Sequence, residues 1–221
     1  MGVDLTVLIA DWPRILQTPP DDRLDVVQEA AYSDEDDADL DDTAPDDCPV
    51  GWISLPPADS PWLARYEFHG TLGSFKPHFR AGQAWEDVRD FAEPALRTAL
   101  DAFLSGLYWA PPEADDADAD PDADPDAEAC ADADPLFSPN ARPWRSGPVF
   151  ACPPSAVTAL ADSWAAVASR LPDLRAPYGV HAARPGRWIA DFDEFCALLG
   201  GWGEVTTEAA RRGWGVIGLP L

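Results

Sequence analysis

Lysine is nearly missing from this chain: Lys76 is the only one, and the other fourteen basic residues are arginines. Methionine occurs once, and no stretch of eighteen consecutive apolar residues exists, so no membrane-spanning helix is expected. Cysteine is scarce as well. Cys48, Cys130, Cys152 and Cys196 lie far apart without a C-x-x-C pair, which argues against a disulfide framework and for reduced thiols in a cytoplasm. The opening "MGVDLTVLIADW" has no basic n-region and too short an apolar run for a signal peptide. A basic excess is also absent. Fifteen basic residues against forty acidic ones give a net charge of −25, the opposite of the cationic footprint that a nucleic-acid binder needs.

What is present is acid, and it is concentrated. Residues 34–47 hold nine acidic side chains and residues 113–134 hold eleven, with no Lys or Arg in either tract. Setting those twenty aside leaves a net charge of only −5 for the rest of the chain. The remainder is therefore not adapted to salt over its whole surface. Both tracts lack apolar periodicity and cannot bury enough surface to offset their ordering entropy. They are expected to be flexible insertions, one acidic and Pro-rich at 33–62 and one of low complexity at 110–147, within a single domain spanning 1–221. Abundant Ala, Pro, Asp and Trp beside so little lysine point to a GC-rich bacterial genome.

The rest divides into recognisable elements. "VDLTVLIA" has strand length and β-branched content, with Leu5, Val7 and Ile9 on one apolar face and a mixed face of Asp4, Thr6 and Leu8. A short helical turn at "DWPRILQTPP" precedes a helix with Leu24, Val27 and Ala31 in register. "RYEFHGTLGSFKPHFRAGQAW" shows no regular period, and helix is expected from "WEDVRDF" onward. Pro94 then opens a new first turn carrying the stripe Leu96, Leu100, Phe103, Leu104 and Leu107. "GPVFACPP" predicts a short strand feeding a helix with Val157, Leu160, Ala161, Trp164, Val167 and Leu171 at spacings of three and four. The last helix starts at Asp191, with Glu194 in capping-box position, and buries Phe192, Phe195, Leu199, Trp202 and Val205. Gly200, Gly201 and Gly203 interrupt it, at about 1 kcal/mol each against alanine, which implies a close crossing or a kink.

Gly213, Gly215 and Gly218 have the G-x-G-x-x-G spacing of a dinucleotide fingerprint. That motif holds pyrophosphate only where a strand delivers the glycines and a helix follows. Here the predicted helix comes first and a strand follows. Arg211 and Arg212 before Gly213 instead mark a helix C-terminus, with glycine as the left-handed cap.

In "CPPSAVTALADSWAAV", in "EAARRGWGVIGL", in the tryptophan-bearing "AGQAWEDVRDF" and in Met1-Gly2 before a strand and short helix, the chain resembles the YfbM-like family of bacterial proteins of unknown function. The resemblance covers about two thirds of the chain and implies an α+β fold without implying an activity. It departs from the family at Gly82 and Gln83, where a charged Leu-Asp-Lys lead-in to the tryptophan is missing, and in both acidic tracts.

Residues able to carry chemistry are few. Glu67, His69, Lys76 and His78 lie within one aromatic, glycine-bent segment, and two histidines with a carboxylate match the donor set of a catalytic zinc. The interval between the histidines fits no standard ligand spacing, and Gly70, Gly73 and Pro77 turn the chain between them, so the side chains are expected to diverge. Cys152 precedes a helix start, where a thiol can be acidified, with His181 as its one distant partner; the apolar "VFAC" favours a buried, inert thiol. An EF-hand register beginning at Asp116 meets Pro121 where glycine is required and Ala127 where glutamate is required, so specific calcium binding is not expected. Trp164 and Trp202 are assigned to the core. Trp52, Trp62, Trp109 and Trp144 flank the acidic tracts, as anchors or as a partner surface.

These observations give one α+β domain, a small sheet of N- and C-terminal strands packed by four to five helices, with two acidic insertions. No cofactor or metal is expected. The expected function is a non-catalytic acidic interaction protein, of immunity type, with a basic protein partner and neither nucleic acid nor membrane. The alternative is an enzyme or small-ligand binder with its site at Glu67–His78.

Overall fold

The computed structural model describes residues 5–32, 51–54, 62–68, 76–107, 136–137, 150–182 and 191–220. They form five strands, seven α-helices and two 3₁₀ segments: β1 (Leu5–Ala10), α1 (Trp12–Leu16), α2 (Arg23–Tyr32), β2 (Gly51–Ser54), β3 (Leu63–Glu67), α3 (Lys76–Val88), α4 (Pro94–Ser105), β4 (Phe150–Cys152), α5 (Pro154–Val167), α6 (Arg175–Ala182), α7 (Phe192–Arg212) and β5 (Gly215–Pro220). The fold is α+β. The sheet is antiparallel throughout, in the order β2-β3-β1-β5-β4. The first and last described strands lie side by side at its centre, with Leu5 opposite Pro220 and Ala10 opposite Gly215.

Both faces of the sheet are covered. Leu5, Val7 and Ile9 point into the larger core with Ala64, Tyr66, Phe68 and Val216, under α3, α4, α5, α6 and α7. Leu8 and Ala10 point the other way, into a smaller core with Leu63, Ile217 and Leu219 under α1 and α2. β1 is therefore buried along its whole length. Of its expected mixed face, Thr6 and Leu8 are described and both are buried; the Thr6 hydroxyl is satisfied by accepting from Tyr32 Oη at 3.2 Å.

Seven α-helices form where four to five were expected; α6, eight residues long, is the one with no counterpart in the sequence reading. α3 begins at Lys76 rather than near Trp85. Pro77 ends nothing there, since a proline in the first helical turn lacks only an N–H that would have had no intrahelical partner. The span 33–62, expected to be insertion, contains β2, whose Trp52 packs against the larger core. Within 110–147, Leu136 and Phe137 are buried in the smaller core. Trp62, the last residue of the first span, is also described; the remainder of both spans, with the calcium register, Trp109, Trp144, Cys48 and Cys130, lies outside the described residues.

Helix ends follow the sequence signals. Glu93 caps α4, its carboxylate accepting from the backbone N–H of Ala95 and Leu96. Asp191 caps α7 by accepting from the N–H of Asp193 at 2.7 Å. Gly213 ends α7 at φ 68°, ψ 30°, in the left-handed region where glycine carries no Cβ penalty.

Candidate functional site

His78 stands on the first turn of α3 and is completely buried in the larger core. Trp202 Nε1 donates to His78 Nδ1 at 3.1 Å. An indole N–H can only donate, so Nδ1 is the acceptor and the neutral ring keeps its proton on Nε2. Phe68 meets the imidazole edge-on at 4.9 Å between centroids. Burial pushes the pKa of His78 down to about 3. The imidazole is thus a neutral core group, and its Nδ1 lone pair is occupied by the indole.

Glu67 does not join it. Along β3, Ala64, Tyr66 and Phe68 face the larger core, so Glu67 and Arg65, one residue out of phase, project from the opposite face. Of the four candidates, Glu67 and His78 are the two whose side chains are described, and the sheet separates them. His69 and the side chain of Lys76 lie outside the described residues. Among the described residues no group of three His, Cys, Asp or Glu side chains is placed to hold a metal ion.

Around His78 the aromatic cluster continues to Tyr66, whose hydroxyl donates to Glu204 Oε2 at 3.0 Å. Burial and that carboxylate hold the phenol protonated well above its ordinary range. Gly201 lies beneath Phe68, where an added Cβ would come within 2.9 Å of the ring. Gly203 lies directly beneath the Trp164 indole of α5. The helix glycines thus let α7 approach both the sheet and α5. Gly215 and Gly218 do the same within β5, seating Trp12 on one face and Phe150 on the other. The G-x-G-x-x-G spacing is one cap and two aromatic seats.

Cys152 is buried at the end of β4, with Sγ 3.8 Å from the carbonyl of Gly106. Burial pushes the Cys196 thiol up to about 11. The side chain of His181, the one distant partner of Cys152 in the sequence, lies outside the described residues.

A feature that motif reasoning passed over lies on the opposite face of the sheet. An open cleft of about 490 Å³ is bounded by α1, α2 and Trp62. Ile15, Val26 and Ala30 supply its apolar surface, and Arg14, Arg23 and Glu29 its charge. The Arg14 guanidinium lies 5.2 Å from the centroid of the Trp62 ring. Arg23 donates from Nε to the Thr18 carbonyl and from Nη1 to the Leu136 carbonyl, both at 2.9 Å. The backbone N–H of Asp11 donates to the Trp62 carbonyl at 2.7 Å, tying the tryptophan to the start of α1. No sequence motif could have found this cleft, because its residues come from three separate segments.

Compared with protein-family models, curated proteins and solved structures, the chain finds no match in any of the three.

Proposed function

We propose that this is a YfbM-like, non-catalytic acidic interaction protein of the bacterial cytoplasm, of immunity type, that engages a basic protein partner. One observation carries the reading: half of the forty acidic residues lie in two tracts without a single cation. Their attachment points support it. Tyr32, which leads into 33–50, and Leu136 with Phe137, which follow 113–134, all pack in the smaller core. The described residues that precede the first tract and follow the second therefore lie on one layer of the molecule. A focused negative potential accelerates encounter with a cationic surface, and its effect is screened beyond about 8 Å at physiological salt. In this reading the aromatic cluster and the buried His78 hold the scaffold together.

The test is retention of partners from the native host extract by the full chain and by a variant lacking 34–47 and 113–134. The reading expects a basic polypeptide held by the full chain at low salt, released at high salt and not held by the variant. Equal retention by the two chains, or retention of neutral and acidic proteins alone, overturns it.

A further inference from the structure

We infer that the cleft between α1, α2 and Trp62 is a binding site for a small aryl anion, with a carboxylate or phosphate head on Arg14 and Arg23 and a flat apolar body against Trp62. The inference is independent of the acidic tracts. In so acidic a chain, arginines find carboxylates readily: Arg89 pairs with Asp101, Arg170 with Glu93, Arg175 with Asp193, and Arg211 and Arg212 with Glu208. Arg14 and Arg23 differ. Among the described residues neither has a carboxylate within ion-pair distance, although Glu29 lies on the same cleft.

Each guanidinium is nevertheless held in place. Arg14 is positioned over the indole, a favourable cation–π arrangement. Arg23 is anchored by two carbonyls, which use two of its five N–H donors and leave the Nη2 pair for a ligand. Two restrained guanidiniums on one cleft each offer paired N–H donors of the kind that recognise a carboxylate or phosphate. The remaining surface sets the body of the ligand. Ile15 is buried and Val26, Ala30 and Trp62 are half-buried, giving an apolar strip beside the charged rim. The volume lies within the range of about 300–1,000 Å³ usual for small-molecule sites. Glu29, exposed on the rim, opposes a second negative group and so favours a ligand with one anionic end.

The experiment follows the indole N–H resonance of Trp62 in the ¹⁵N-labelled full chain, assigned with Trp62→Phe, during titration with benzoate, phenyl phosphate and uncharged benzamide. At least one anion is expected to shift that resonance while benzamide leaves it in place, and the tighter anion identifies the head group. Arg14→Gln is expected to weaken binding about tenfold, the loss of one charge-assisted contact. Glu29→Gln, at an exposed side chain with no role in packing, is expected to tighten it. An unmoved resonance with both anions, an equal response to benzamide, or unchanged affinity in both Arg14→Gln and Glu29→Gln overturns the assignment.

Discussion

At the scale of single residues, this fold is built by placing aromatic rings on glycines. Gly203 lies under Trp164 and Gly201 under Phe68, whereas nothing lies within 4 Å of a Cβ placed on Gly200. The three glycines look equivalent in sequence and are not equivalent in energy. Gly203→Ala should destabilise the protein by about 1–3 kcal/mol, because a close-packed indole must move. Gly200→Ala should stabilise it by about 0.5–1 kcal/mol, because an open helical position loses glycine's entropy cost. Urea unfolding of the two variants checks both signs. His78 supplies a second residue-scale prediction. Its folded pKa of about 3 lies below the ordinary 6.5, so between those values the unfolded chain binds the extra proton. The contribution of the neutral ring is therefore fully present above about pH 6.5 and is lost as pH falls toward 3. Stability measured across that window should fall less steeply in His78→Leu than in the native chain; parallel curves would show that His78 is not buried neutral.

At the scale of elements, the helices with one buried stripe and the strands β1, β4 and β5 were legible, whereas β2 and β3 were not. Leu96, Leu100, Phe103, Leu104 and Leu107 are all buried as their spacing requires, and so are Phe192, Phe195, Leu199, Trp202 and Val205. β3 was missed although Arg65 and Glu67 alternate with Ala64, Tyr66 and Phe68, because the alternation is short and the stretch that follows it is broken by Gly70, Gly73 and Pro77. β2 is only four residues long and sits within a Pro- and Asp-rich stretch. The start of α3 was hidden by Pro77, a breaker inside a helix but acceptable in its first turn. The cleft was illegible for a different reason. Arg14, Arg23 and Trp62 become neighbours only through the pairing of β1 with β3 and the packing of α2 on the sheet. The end of α7 was legible to the residue, and it gives the prediction at this scale. With Gly213 at φ 68°, Gly213→Ala should cost about 1 kcal/mol in thermal or urea unfolding. No loss would mean that the cap relaxes into another backbone conformation.

At the scale of the whole molecule, the question is what the acidic tracts do to the body that carries them. The described residues of the two cores on either face of the sheet lie outside both tracts. Removing 34–47 and 113–134 retains Tyr32, β2, Leu136 and Phe137, and so retains every described packing contact that borders them. It also changes the net charge from −25 to −5. Like charges in one molecule oppose the compact state, and added salt screens them. The shortened chain should therefore melt within a few degrees of the full chain, and the full chain should gain more than the shortened one when salt is added. The cleft should respond in step. A potential that attracts a basic partner repels an aryl anion, so the shortened chain should bind benzoate or phenyl phosphate more tightly at low salt, with the difference vanishing at high salt. Melting curves and titrations of both chains at two ionic strengths read all three effects together. A large fall in melting temperature would show that the tracts pack against the body. Equal salt responses would show that their charge lies too far from the body to act on it.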